Sequence, residues 1–212
     1  MKIERIRPEE IERRSFEIIT DLLGEQQPPD ETAHIVKRVI HTTADLEYAE
    51  TLYFSENAAQ ILSQALAEGA HIVTDTQMAL SGINKKTLAA FGGQVHCFMA
   101  DEDVARQARE RGVTRACVSM EKAATLSVPL IFAIGNAPTA LIELDRLMRE
   151  QDLKPELIIG VPVGFVNVVE SKELILQSQA PHIVARGRKG GSNVAAAIVN
   201  ALLYQLVHRE GF

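Results

Sequence analysis

Residues 130–139 read LIFAIGNAPT, and this short segment is the most informative one for the fold class. Leu130 to Ile134 form an unbroken apolar run, which is typical of a strand buried on both faces of a parallel sheet. Gly135 and Asn136 follow as turn residues, and Pro138 suits the first turn of a helix. The segment therefore predicts a strand, a tight turn and a helix in succession.

Short apolar runs of the same kind recur along the chain and alternate with segments of helical length. The further predicted strands are His71 to Thr74, Val95 to Met99, Leu157 to Val161 and His182 to Ala185. This alternation predicts an α/β fold: one doubly wound, mainly parallel, five-stranded sheet between two helix layers. We expect residues 1–212 to form a single domain.

Additional helices precede this alternating region, and a buried helix closes it. Apolar spacing predicts helices from Pro8 to Gly24, from an N-cap at Asp30 towards Thr43, and from Glu56 to Ala67. The segment from Ser192 to Val207 is apolar around most of its circumference, which indicates a helix buried in the core or against a partner subunit.

The overall composition is that of a globular protein and excludes several classes. The chain has 212 residues, 46% of them hydrophobic and 24% charged, with a net charge of −6. The acidic balance argues against a general nucleic-acid binder. Cys97 and Cys117 lie in apolar surroundings and are expected to be free thiols. The first ten residues lack the apolar region of a signal peptide, and the longest apolar stretch is too short for a membrane span. We therefore expect a cytoplasmic protein.

The segment Arg186 to Ser192 is the strongest candidate among the strand ends, where doubly wound sheets bind ligands. It places three cations and three glycines between a strand and a helix. Glycine allows close approach of backbone N–H groups, and a helix N-terminus favours an anion. The alternative is a glycine turn with solvated charges. Neither a P-loop nor a dinucleotide fingerprint occurs, so nucleotide binding has weak support. Asn136 is expected to cap the helix after its strand.

The second predicted helix carries a polar stripe made of His34, Arg38, His41 and Asp45 at spacings of four, three and four residues. A metal site is not expected, because Arg38 between the histidines would repel a cation. His41 suits acid–base chemistry, with Asp45 one turn away or a backbone group expected to orient it, and Arg38 suits an anionic ligand. The alternative is a solvated polar face.

Five motifs in this order resemble the precorrin-8X/cobalt-precorrin-8 methylmutase family of cobalamin biosynthesis, over nearly the whole chain. The matching segments are Val39 to Asp45, Thr74-Asp75 with Met78 and Gly82-Ile83, Ala133 to Leu141, Gly160 to Val166 with Ser171 to Glu173, and Arg186 to Ser192.

This resemblance implies an isomerase that moves a methyl group from ring carbon 11 to ring carbon 12 of a tetrapyrrole bearing several carboxylates. The product is hydrogenobyrinate or cobyrinate. The resemblance also implies a flavodoxin-like strand order, a homodimer with sites at or near the subunit interface, and no redox cofactor. The implied catalytic residue is His41, as proton donor or acceptor. The implied substrate contacts are Ser15, Arg38, Thr43, Asp45, Arg115, Asn136, Lys172 and Arg188.

Two other functions are compatible with the same residues. A non-catalytic tetrapyrrole carrier would use the cationic residues without needing His41. A phosphate- or nucleotide-binding α/β enzyme would use the segment from Gly187 to Ser192. Whether the substrate contains cobalt is left open by the sequence, since the ring and its carboxylates are alike in both cases.

Overall fold

A computed structural model describes residues 6–207 and shows one mixed sheet of six strands in the order β1-β6-β5-β4-β2-β3. All neighbours in the sheet are parallel except β1 and β6, which are antiparallel. The strands are β1 (Leu52–Phe54), β2 (His71–Thr74), β3 (Val95–His96), β4 (Leu130–Ile134), β5 (Leu157–Gly160) and β6 (His182–Ala185).

The predicted count of five strands is wrong, because β1 adds a sixth at the edge. Leu52 pairs with Ala185 and Phe54 with Ile183. Three residues are too few to show an alternation pattern, so this strand depends on its pairing with β6. The third predicted strand is also shorter than Val95 to Met99, because the chain enters a 3₁₀ turn at Phe98–Ala100.

Helices cover both faces of the sheet, and the helices predicted before it are present. The helices are α1 (Ile11–Leu23), α2 (Asp30–Thr43), α3 (Tyr48–Thr51), α4 (Ala58–Ala67), α5 (Gln77–Gly82), α6 (Lys85–Ala90), α7 (Glu102–Arg111), α8 (Arg115–Ala124), α9 (Pro138–Gln151), α10 (Val168–Leu176) and α11 (Ser192–Leu206). Asp30 is the first residue of α2 and not its N-cap, which is Pro29. None of the helices within residues 6–207 combines the length and apolar composition that crossing a membrane requires.

The central strand β4 shows how the two helix layers share the core. Ile131 and Ala133 pack with α1, α2, α4 and α11 on one face. Phe132 and Ile134 pack with α8, α9 and α10 on the other. Both sets are fully buried, as expected for a strand covered on two sides. Because helices cover both faces of the sheet, the loops that follow several strands meet at its carboxyl edge.

Candidate functional site

Asp75, directly after β2, ties two strand ends together at the carboxyl edge. Its carboxylate accepts hydrogen bonds from the backbone N–H groups of Gly135, Asn136 and Ala137 at 2.9, 2.7 and 2.5 Å. Burial raises the pKa of the Asp75 carboxyl, and the three donors act in the opposite direction. The turn after β4 is thereby fixed against the end of β2.

Asn136 does not cap α9, contrary to the prediction. The N-cap is Ala137, and Pro138 occupies the first turn. The backbone N–H of Asn136 is bound to Asp75, and the residue is exposed at the carboxyl edge. Asn136 is therefore accessible to a ligand, and its role as a substrate contact stays a prediction.

The glycine-rich turn, residues 186–191, packs closely onto the end of β5. The N–H of Gly191 donates to the carbonyl of Val161 at 2.9 Å. A Cβ built on Gly190 would lie 2.1 Å from the same carbonyl oxygen. Gly190 therefore permits backbone-to-backbone packing, whereas a Cβ on Gly187, with φ +74°, would meet nothing within 4 Å.

A buried lysine holds this turn from below. Lys172 on α10 is 1% exposed, and its ammonium donates to the carbonyls of Gly187 and Lys189, both at 2.8 Å. Burial lowers the pKa of Lys172 to about 8. Arg188 is exposed on the outer side of the turn, and the guanidinium of Arg186 lies 4.6 Å from the ring centroid of Tyr53.

His41 lies in the last turn of α2, on the ring of Phe16 from α1. The two ring centroids are 5.4 Å apart, with planes inclined by 28°. The pKa of His41 is lowered, first by partial burial and second by the charge of Arg38, against a raising effect of Glu12. His41 is exposed and thus accessible to a ligand.

Arg38, one turn before His41, is surrounded by aromatic rings and a carboxylate. Its guanidinium lies 4.8 Å from the ring centroid of Phe16 and 5.5 Å from that of Tyr204. Its Nη1 donates to Glu12 at 2.6 Å. The pairing of a buried guanidinium with Glu12 fixes the cation beside His41.

The predicted polar stripe ends before Asp45, because α2 ends at Thr43 and Ala44 takes a left-handed conformation with φ +55°. Asp45 therefore leaves the helix face of His41. Its carboxylate accepts from the ammonium of Lys189 at 2.7 Å, and this ion pair lowers the pKa of Asp45. The prediction that Asp45 orients His41 is not supported by these contacts. Asp45 instead joins the end of α2 to the glycine-rich turn.

The other predicted substrate contacts lie on α1, at the end of α2 and in the first turn of α8. Ser15 is half-buried beside Phe16, and its hydroxyl donates to the carbonyl of Ile11 at 2.9 Å. The hydroxyl of Thr43 donates to the carbonyl of Val39 at 2.9 Å. Arg115 is exposed in the first turn of α8. A 2.8 Å hydrogen bond between the hydroxyls of Thr114 and Thr139 places that turn beside the start of α9.

Sequence reasoning missed four residues that complete this arrangement. Glu12, Phe16 and Tyr204 surround Arg38, and Lys189 bridges to Asp45. Glu12 and Phe16 are four residues apart and therefore neighbours on one helix face. This spacing is the sequence feature that could have pointed to them. Their contact with α2 joins residues 26 positions apart, which no local pattern reveals.

Within residues 6–207, side chains that could together hold a metal ion meet away from this site, on α8 and α9. Cys117, Glu121 and Glu143 bring one possible ligand atom each within 4.8 Å of one another. Arg111 and Arg146 already pair with these carboxylates, and the pKa of Cys117 is raised to about 12 by burial and by Glu143. The cluster is therefore a neutralised salt-bridge network with a protonated thiol.

Comparisons with known proteins point to one family. A family model described as precorrin-8X methylmutase matches residues 10–205. The cobalt-precorrin-8 methylmutase of Salmonella typhimurium is 48% identical over 94% of this chain and 96% of its own. The precorrin-8X methylmutase of Pseudomonas aeruginosa is 38% identical over 91% of this chain and 93% of its own. The crystal structure of precorrin-8X methyl mutase from Thermus thermophilus matches with a TM-score of 0.85 and 35% identity, covering 96% of this chain and 100% of that one.

Proposed function

Since the chain belongs to the precorrin-8X methylmutase family, we propose that it is an isomerase of cobalamin biosynthesis. It moves a methyl group from ring carbon 11 to ring carbon 12 of its tetrapyrrole substrate. The greater identity to the Salmonella enzyme than to the Pseudomonas enzyme favours cobalt-precorrin-8 over the metal-free precorrin-8X. The product is then cobyrinate.

The observation that carries this proposal is the stack of His41 on Phe16 beside Arg38. An exposed imidazole with a lowered pKa is neutral at pH 7, so it offers one N–H donor and one acceptor nitrogen. His41 donates a proton or a hydrogen bond to a ring nitrogen and thereby draws electron density from the migrating system, and it takes the proton back once the methyl group has moved. One such group typically contributes about 10²–10⁴-fold to the rate.

The remaining site residues recognise the ring and its carboxylates. Arg38, held by Glu12, and the exposed Arg115 and Arg188 supply positive charge at separate points. Scattered cations suit a ligand whose carboxylates lie around a rim. Ser15, Thr43 and Asn136 are the other proposed contacts. For Asp45 and Lys172, which the resemblance also implies as contacts, we propose a supporting role behind the glycine-rich turn, because their charged groups are engaged with it.

We also propose a homodimer whose interface includes α1. Ile11, Ile18 and Leu22 form an apolar stripe on this helix and are 52%, 40% and 64% exposed. Ser15 lies on the same stripe, so a partner packed here would border Ser15 and the neighbouring His41 cluster. A cavity of about 910 Å³ between α2, β1, α4 and α11 is lined by His34 and not by His41. In the proposed dimer, the surface at His41 is open in one subunit and the second subunit completes it.

Three finer assignments belong to the same proposal. The five parallel strands, in the order β3-β2-β4-β5-β6, support a flavodoxin-like unit to which β1 is added. Residues 1–212 form one methylmutase domain, since Ile19 near one end and Leu203 near the other share a hydrophobic core. The cytoplasm is the proposed location, because the substrate is an intermediate of intracellular synthesis.

An absorbance time course tests the activity. Purified protein receives cobalt-precorrin-8 and, in a separate reaction, precorrin-8X, and each reaction is repeated with His41→Ala and His34→Ala. Wild type and His34→Ala should convert the substrate, whereas His41→Ala should lose at least 10²-fold in rate. His34 is the matched control because it lies on the same helix and its pKa is also lowered by burial. Binding with an unchanging spectrum in wild type would indicate a carrier.

A further inference from the structure

The contacts of Lys172 dictate where the N–H groups of the glycine-rich turn point. Its ammonium binds the carbonyl oxygens of Gly187 and Lys189, both at 2.8 Å. In a trans peptide the carbonyl of one residue and the N–H of the next point in opposite directions. Every peptide bond that the structure describes is trans. The N–H groups of Arg188 and Gly190 therefore point away from Lys172, towards the outer side of the turn.

These two N–H groups have no hydrogen-bond acceptor within residues 6–207. The neighbouring N–H of Gly191 is satisfied by Val161, and that of Gly164 by the carbonyl of Arg188. Backbone donors left without an acceptor on the outer side of a turn are suited to the oxygens of an anionic ligand. Gly190 is half-exposed and Arg188 is exposed, so a ligand can reach both donors.

The charge of Lys172 adds to this effect. No carboxylate in the described part of the chain forms an ion pair with its ammonium, which only carbonyl oxygens contact. An ammonium in the low-dielectric interior, directly behind two outward N–H groups, makes the outer side of the turn attractive to negative charge. The guanidinium of Arg188 projects from the same turn.

We propose that the backbone N–H groups of Arg188 and Gly190 bind carboxylate oxygens of the tetrapyrrole, and that Lys172 is the positioning residue that aims them. This assignment rests on the proposed function, which supplies the carboxylate. It differs from a direct contact of Lys172 with the substrate, because the ammonium is buried behind the turn. It also gives the turn a role that depends on its backbone and not only on its cations.

Amide NMR on the wild-type protein tests this directly. The full chain is labelled with ¹⁵N-glycine and ¹⁵N-arginine and titrated with the product, which binds without turnover. The amide protons of Gly190 and Arg188 should shift downfield as they acquire a charged acceptor, while that of Gly112, at the end of α7, should not move. Unchanged Gly190 and Arg188 resonances at saturation would overturn the assignment.

A kinetic comparison tests the positioning role. Lys172→Met keeps the apolar stem of the side chain but removes its donors, so the turn is no longer held. We expect KM to rise about tenfold, since misaimed N–H groups lose hydrogen bonds to a charged ligand, while kcat changes less than about threefold. The matched control is Lys154→Met, at a side chain that is 80% exposed.

The two proposals fail in different ways. A wild-type protein that converts neither substrate contradicts the methylmutase function. A wild-type protein that converts its substrate, with Lys172→Met showing an unchanged KM, contradicts only the positioning role. If Lys172→Met does not fold, the amide shifts of the wild-type protein still test whether the N–H groups of Arg188 and Gly190 bind the product.

Discussion

His41 is the residue on which the proposed chemistry depends, and its environment predicts a pH profile. Partial burial and Arg38 hold the pKa of His41 below its ordinary value of 6.5. The neutral imidazole is therefore the main form at pH 7, and protonation turns it into a stronger proton donor. We expect kcat/KM to rise as the pH drops towards a pKa below 6.5 and to level off beneath it. Steady-state kinetics between pH 5 and 8 measures this, and activity that falls towards acid over that range would contradict the donor role.

Glu12 contributes to both the geometry and the charge of this site. It binds Arg38 at 2.6 Å, and its charge raises the pKa of His41. Glu12→Gln should therefore move the rise of kcat/KM on the acid side to lower pH. Because Arg38 is buried, we also expect the free energy of unfolding to fall by about 1–3 kcal/mol.

The matched control for this change is Glu17→Gln. Glu17 lies on the same helix and pairs with Arg14, but its side chain is 52% exposed. Exposed pairs contribute at most about 1 kcal/mol, so its effect on urea unfolding should be small and the pH profile should not move. Equal effects of the two substitutions would show that the Glu12–Arg38 pair has no special role.

At the scale of single residues, the sequence predicts part of the candidate site. The spacing of Arg38 and His41 predicts that they share one face of α2, and they do. Their partners Glu12 and Phe16 lie on another helix, so only the packing of α1 on α2 reveals them. Asp45 was misplaced because the left-handed Ala44 ends the helix, a conformation that alanine seldom adopts.

Among the elements, the turn between β6 and α11 packs on the end of β5 with no room for a side chain at Gly190. Gly190→Ala would place a Cβ 2.1 Å from the carbonyl oxygen of Val161. Backbone cannot move aside as a flexible side chain can, so we expect a loss of about 3 kcal/mol in the free energy of unfolding. Urea denaturation measures it.

Gly187→Ala is the matched control in the same turn. Its Cβ would meet nothing within 4 Å, and only the positive φ of +74° opposes it. We expect a loss of about 1 kcal/mol, which is the cost of a left-handed conformation for alanine. If Gly190→Ala were no more damaging than Gly187→Ala, the close packing of the turn on β5 would be wrong.

The elements themselves were largely predictable, because each buried parallel strand is an uninterrupted apolar run. Leu130 to Ile134 matches β4 residue for residue. The edge strand β1 was not predictable, since Leu52 to Phe54 are held in extended form by pairing with β6 and not by their own pattern. The segment after His96 reads as strand but bends, because tertiary contacts of Phe98 replace the sheet pairing.

At the scale of the whole molecule, the apolar stripe on α1 predicts the oligomeric state. Leu22→Asp places a charge on a residue that is 64% exposed in one subunit. If copies meet at this helix, the charge should convert a dimer into a monomer and lower the activity. Sedimentation velocity measures the mass of the particle.

Ile142→Asp is the control for this substitution. Ile142 is also an exposed apolar residue, 37% exposed, but it lies on α9 on the opposite side of the sheet. It should leave the assembly unchanged. A wild-type monomer, or a Leu22→Asp variant that remains dimeric, would contradict an interface at α1.

The sequence predicts the α/β fold class and the edge of the sheet where ligand contacts lie. It does not predict the contacts that join distant segments there. Polar residues after buried strands predict ligand contacts at the carboxyl edge, where Asn136 and Arg188 are exposed. The sequence did not reveal that Asp45 and Lys189 join this edge to the end of α2 across 144 positions. Nor did it show that Lys172 faces inward, because burial of a lysine depends on the carbonyls that receive it.

The position of the migrating methyl group is the most direct test of the central claim. Substrate carrying ¹³C in the methyl group on ring carbon 11 is incubated with wild type and with His41→Ala, and the products are compared by ¹³C NMR. We predict that wild type gives a product whose label is on ring carbon 12 and that His41→Ala leaves the label on carbon 11. A label that stays on carbon 11 with wild type, or that moves equally well without His41, would contradict this account.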